Sequence, residues 1–223
     1  MDIHKPKASH SWREFLIEIG TIVCGILIAL GLEQLVETGR RAAEVREARH
    51  SVHDELARNM QLMSYSVEED SCFVQQLVAF DIWAKGGPKP PAFRGFSPSP
   101  LTSAWQTVKT NAAPNFPSEE RIQITKVYDL IENNAKVRDA QSARWDDIVG
   151  VSSHERLEPS DARRLSETAA IFKSETDAHA ANNRDIIANI AKLGVKPVPP
   201  RPFWHLTLDW VCGRGGKDPW KNH

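Results

Sequence analysis

A surplus of charge of either sign is missing from this sequence. Lys and Arg together number 28 and Asp and Glu 29, giving a formal net charge of -1 and a pI near 6.7. General nucleic-acid binders are usually basic, so no nucleic-acid partner is expected. Cysteine is scarce as well: three residues and no C-x-x-C pair exclude a disulfide-rich scaffold. Cys24 lies inside an apolar segment. Cys72 and Cys212 either pair in an oxidising compartment or persist as two reduced thiols. A G-x-S-x-G nucleophile motif, a βαβ pattern and internal repeats are all absent. There is no long polar tract either, and 41% hydrophobic with 26% charged residues is a globular composition. The 223 residues suffice for one ordinary domain plus an anchor.

What the chain does have is one long apolar run. Phe15 to Val36 reads FLIEIGTIVCGILIALGLEQLV, with an uncharged core of 14 residues, Ile19 to Leu32, bracketed by Glu18 and Glu33. The core alone is short for a membrane span. The full 22 residues extend roughly 33 Å as a helix, enough for about 30 Å of hydrocarbon, with both carboxylates towards the interfaces. Trp12 suits the interfacial aromatic belt. Two other readings compete. One is a buried core helix, which short apolar runs often form. The other is a cleaved signal peptide with Ala29-Leu30-Gly31 as its small-x-small site. Against cleavage, Glu14 and Glu18 stand where a signal peptide is basic, and the helical pattern continues past the site.

Glu18, Thr21, Gly25, Ala29 and Glu33 recur at spacings of 3, 4, 4 and 4, so they stack on one helix face. Thr21, Gly25 and Ala29 form a small-xxx-small series, which allows another helix to approach closely. The same series also occurs simply because small residues are common in membrane helices. The expected partners are the lipid bilayer and either a second copy or a partner membrane helix. Lys5, Lys7 and Arg13 precede the span, and Arg40, Arg41, Arg46 and Arg49 follow it, a near-balance that leaves orientation open. The short basic tail favours a cytoplasmic N-terminus.

Beyond the span, Val45, Val52, Leu56, Met63, Val67, Val74 and Val78 recur at spacings of 7, 4, 7, 4, 7 and 4. This eleven-residue period predicts a helix to about Lys85 with a nearly straight or slightly right-handed packing stripe, Gly39 being its weak point. Gly86-Gly87-Pro88 ends it. Residues 86–100 form a Pro/Gly-rich connector. A short helix is expected over Leu101 to Asn111, capped by Thr102 or Ser103. Another runs from Pro117 to Ile148, with Ile124, Val127, Tyr128, Ile131 and Ala135 as its buried stripe. The last opens at Ser160 and Asp161 and buries Leu165, Ala169, Phe172, Ile186, Ile190 and Leu193, before Gly194 and Pro197 close it. Three long helices and a short one predict an all-α, antiparallel, four-helix-like bundle. The expected organisation is a tail at 1–11, a transmembrane helix at 12–37, a bundle domain at 38–194 and a Pro/Trp-rich tail at 195–223. Phe203, Trp204, Leu206, Leu208 and Trp210 in that last tail would pack on the bundle or lie at a membrane surface.

The segment from His4 to Glu37, HKPKASHSWREFLIEIGTIVCGILIALGLEQLVE, resembles the N-terminus of a group of uncharacterised proteobacterial membrane proteins. In those proteins a basic tail and Trp-Arg-Glu-Phe lead into an apolar helix ending in Glu-Gln. His53 to Asn59 (HDELARN), Ser103-Ala104-Trp105 and Tyr128 are similar too. The resemblance covers about half the chain and implies a single-pass protein of a Gram-negative inner membrane. It implies no activity.

Chemistry is sparsely signalled. Glu47 and His50 have the i, i+3 spacing of di-iron bundles, but no second Glu-x-x-His follows. Glu175 and Asp177 stand near His179. A solvated polar face explains these residues more simply, and His50 and His53 also flank Val52 as core-edge histidines. Glu68-Glu69-Asp70 and Arg40-Arg41 read as solvated helix surface, the latter within reach of anionic headgroups. Cys212 to Lys217 lacks the strand and helix a phosphate loop needs. No catalytic residue, metal or cofactor is therefore expected. The leading expectation is a non-enzymatic, membrane-anchored interaction protein, with the soluble part outside the cytoplasm. A ligand-binding sensory bundle acting through a partner is the alternative, and a metal-binding bundle enzyme comes third.

Overall fold

A computed structural model describes residues 12–90, 99–154, 156–199 and 212. Phe203, Trp204, Leu206, Leu208 and Trp210, expected to pack on the bundle or at a membrane surface, lie outside the described residues, as do residues 213–217. The protein is all-α. Its helices are α1 (Trp12–Ala84), α2 (Ser103–Val108), α3 (Ser118–Ser152) and α4 (Pro159–Lys192), with one 3-10 turn at Ala113–Asn115. The chain divides into two compact units, Met1–Glu47 and Ala48–His223.

In the first unit, α1 is uncovered. Every residue from Trp12 to Val36 is exposed, including Ile26, Leu27, Ile28, Leu30, Leu32 and Leu35. Glu37 pairs with Arg40 at 3.1 Å and Arg41 at 2.9 Å, so the Arg40-Arg41 run is solvent-facing and paired within its own helix. The helix passes through Gly39 without a break.

The second unit is a bundle of three long helical segments. α1 ends in a Schellman turn: Gly87 N–H donates to Ile82 O and Gly86 N–H to Trp83 O, both at 2.9 Å. Gly86 has φ +90°, and a Cβ at Gly87 would strike the Ile82 carbonyl, so both glycines are needed. Partners on α1 and α3 stay 67 to 73 residues apart along the bundle, from Arg49 and His53 with Glu120 through Glu55–Tyr128 to Asp70–Gln141. α1 and α3 therefore run parallel. α4 is antiparallel to α3: Asn134 meets Asn183 and, further along, Gln141 meets Thr176.

The eleven-residue stripe does not describe the packing. The buried seam of α1 is Val52, Leu56, Asn59, Met63, Ser66, Asp70, Phe73, Leu77 and Phe80, at alternating steps of 4 and 3. That is a heptad, the period of left-handed packing, and not the 3.67 residues per turn read from the apolar residues alone. Val67 and Val74 are only half-buried and Val78 is exposed. The stripe failed because Asn59, Ser66 and Asp70 are polar yet belong to the seam. α3 and α4 share the heptad, through Ile124, Val127, Ile131, Asn134, Arg138, Gln141, Trp145 and Ile148, and through Leu165, Ala169, Phe172, Thr176, His179, Asn183, Ile186 and Ile190. Ala135 and Leu193 are accordingly half-buried. α3 continues through Gly150 to Ser152, and α4 begins at Pro159, whose missing N–H suits a first turn.

Two apolar zones flank the polar middle of the bundle. Near Ala48 it is filled by Val52, Leu56, Ile124, Val127, Ile186 and Ile190. At the other end Phe73, Trp145 and Phe172 meet with ring centroids 4.8 to 6.0 Å apart. Phe172 is fully buried, and truncating it to alanine would cost about 3–5 kcal/mol. Cys72 and Cys212 form a disulfide beside this cluster, closing a sequence separation of 140.

Candidate functional site

The face anticipated for helix docking is open. Glu18, Thr21, Gly25, Ala29 and Glu33 are all exposed on α1. The Thr21 hydroxyl donates to Ile17 O at 2.9 Å, the usual way a helix satisfies a threonine in an apolar setting. A Cβ at Gly25 would meet no atom within 4 Å.

The Glu47/His50 pair does not face the core. Glu47 is exposed, and the His50 side chain is 79% exposed and 3.7 Å from Asp54. His53 instead shares Glu120 with Arg49, at 3.1 Å and 2.7 Å. Around His179, Glu175 turns to Arg144 and Asp177 to Lys173, and neither joins the histidine. Among the described residues, no group of three or more His, Cys, Asp or Glu is placed to hold a metal.

Two buried polar constellations were not anticipated. The first is centred on Glu55, which is 3% exposed. Glu55 Oε2 accepts from Ser103 Oγ at 3.0 Å and Ala104 N at 2.8 Å; Oε1 accepts from Trp105 N at 3.3 Å and Tyr128 Oη at 2.7 Å. A carboxylate from α1 thus caps α2, replacing the expected Thr102 or Ser103 cap, and its charge complements the helix N-terminus. Asn59 completes the clamp. Its side-chain amide donates to Leu101 O at 2.6 Å and accepts from Leu101 N at 2.7 Å. The Trp105 and Tyr128 rings stack at 5.3 Å. Burial pushes the Tyr128 hydroxyl well above its ordinary pKa, and the Glu55 carboxylate it donates to raises it further. Glu55, Asn59, Leu101, Ser103-Ala104-Trp105 and Tyr128 thus occupy one cluster.

The second constellation crosses the bundle. Asp70 and His179 are 3% and 4% exposed, and His179 Nδ1 lies 2.8 Å from Asp70 Oδ2. Gln141 Nε2 donates to Thr176 Oγ1 at 2.8 Å and to Asp70 Oδ1 at 3.3 Å. Thr176 Oγ1 donates back to Phe172 O. One turn away, Asn134 Nδ2 donates to Asn183 Oδ1 at 2.7 Å. Burial lowers the pKa of Arg138, an effect opposed by the carboxylates of Glu69, Asp70 and Asp139. Glu69 is 2% exposed, so of the run Glu68-Glu69-Asp70 only Glu68 is on the surface. The reading of that run as solvated surface is corrected: helix rotation places adjacent positions on the core side. Apolar period alone could not find these residues; extending the 4-3 spacing across polar positions would have done so.

No family model matches this chain, and no match was found among curated proteins or solved structures.

Proposed function

We propose that this chain is a single-pass membrane protein that acts by docking rather than by catalysis, with its bundle on the oxidising side of a bacterial inner membrane. One observation carries the reading: an 18-residue window of α1 is apolar enough to cross a membrane, and none of it is buried inside the protein. An apolar helix bare on all sides needs another apolar medium, and lipid supplies it. Trp12, stacked on Phe15 at 5.5 Å, stands where an interfacial aromatic would sit. The Cys72–Cys212 disulfide supports the compartment, because such bonds persist outside a reducing cytoplasm.

The docking partner is a second copy or another membrane helix, received on Thr21, Gly25 and Ala29 between the Glu18 and Glu33 carboxylates. Cysteine crosslinking in native membranes tests this in a Cys24→Ser background. Gly25→Cys or Ala29→Cys should crosslink to a copy or a partner, while Leu27→Cys on the opposite face should not. Absence of crosslinks at both face positions overturns the docking reading. A reporter fused to the C-terminus, active only outside the cytoplasm, should be active; an inactive one overturns the orientation.

A further inference from the structure

The three heptad seams leave the bundle with a choice of registers that its aliphatic positions do not settle. Each long helix carries an unbroken 4-3 spacing over at least eight buried positions. Apolar seams of this kind pack almost equally well when one helix slips by seven residues, about 10 Å along its axis. Nothing in Leu, Ile and Val distinguishes those registers. A polar layer does, because a buried hydrogen-bonding group left without its partner is penalised far more than a displaced methyl group.

We infer that the layer of Asp70, Gln141, Thr176 and His179 is the register lock of the bundle, fixing where α4 stands against α1 and α3. In the observed register Asp70 faces His179 at 2.8 Å and Gln141 spans Thr176 and Asp70. Moving α4 by one heptad in either direction sets Phe172 or Ile186 opposite Asp70. The carboxylate would then lie buried against an apolar side chain. The same slip in one direction sets Ala169 opposite Gln141, orphaning its amide. Asn134 with Asn183, bonded at 2.7 Å one turn away, reports the same register. The apolar zones at either end supply cohesion, and the layer selects one alignment. A single buried polar position performs this task in coiled coils, at some cost in stability.

The test uses the full-length chain in lipid nanodiscs. Spin labels are placed at two exposed positions, Gln75→Cys on α1 and Ser174→Cys on α4, in a Cys24→Ser background that keeps the disulfide. The labelled protein should give one narrow distance. Replacing the layer with apolar residues (Asp70→Leu, Gln141→Leu, Thr176→Val, His179→Leu) should leave a folded helical protein with a second or broadened distance population displaced by several ångströms. Retention of the single original distance overturns the inference, since the register would then be set elsewhere. Loss of folding also overturns it, because cohesion was assigned to the apolar zones. As an independent check, the exchanged pair Asp70→His with His179→Asp should restore the single distance that His179→Asp alone loses. Failure of the exchange to restore it counts against the lock.

Discussion

Asp70 and His179, 109 residues apart in sequence, meet at 2.8 Å in the interior of the bundle. Each shields the other from the penalty of lying buried without a partner. Removing one alone strands the other, and such losses typically cost about 3–5 kcal/mol. His179→Leu and Asp70→Leu should each lower chemical-denaturation stability by that order. The double variant should lose less than the sum of the two, because neither member is left facing an apolar side chain, although Gln141 loses one acceptor. Equal and additive losses would contradict the pairing.

The apolar helices were legible in the sequence and the polar core was not. Pro117, Ser160-Asp161 and Gly86-Gly87 mark helix ends through local signals that do not depend on tertiary context, so α1, α3 and α4 fall near their expected bounds. The heptad was concealed because Asn59, Ser66, Asp70, Asn134, Gln141, Thr176, His179 and Asn183 sit in seams where a hydrophobic count expects leucine. Their burial depends on partners on other helices, which no local pattern records. The α2 cap was missed for the same reason: its acceptor, Glu55, comes from a helix 48 or more residues earlier.

Glu55 should act as the fastener of α2. It accepts four hydrogen bonds, three of them from the start of α2. A hydrogen bond to a charged group contributes about 1.5–3 kcal/mol net, and several on one carboxylate do not simply add. Glu55→Ala should speed amide exchange over residues 101–108 far more than over α4 and lower stability by roughly 3 kcal/mol. Unchanged exchange in that segment would show that the clamp does not hold it.

The two tyrosines, Tyr65 and Tyr128, should resist ionisation. Burial raises both hydroxyls above their ordinary value of 10, with Glu69 adding at Tyr65 and Glu55 at Tyr128. A group whose folded-state pKa is raised stabilises the fold fully below its unfolded value and loses that contribution as pH rises beyond it. Stability should therefore fall as pH climbs above about 10. The fall should be shallower in Tyr65→Phe/Tyr128→Phe, and ultraviolet difference spectra should show phenolate forming only with unfolding. Phenolate absorbance at pH 10 in the folded protein would refute the prediction.

The disulfide should contribute as much as a large core side chain. It closes a sequence separation of 140, and loss of a native bridge typically costs about 2–5 kcal/mol. Cys72→Ser should unfold at markedly lower denaturant, and reductant should bring the parent protein to the same midpoint. A midpoint indifferent to reductant would mean the bridge is dispensable.

The bare apolar stretch of α1 should hold the full-length chain in lipid. Cells expressing the full-length chain are lysed, and the membranes are pelleted and washed at alkaline pH, with intact mass confirming that the first 36 residues are retained. The protein should stay with the washed membranes and leave only with detergent. Full-length protein found in the supernatant before any detergent is added would contradict it.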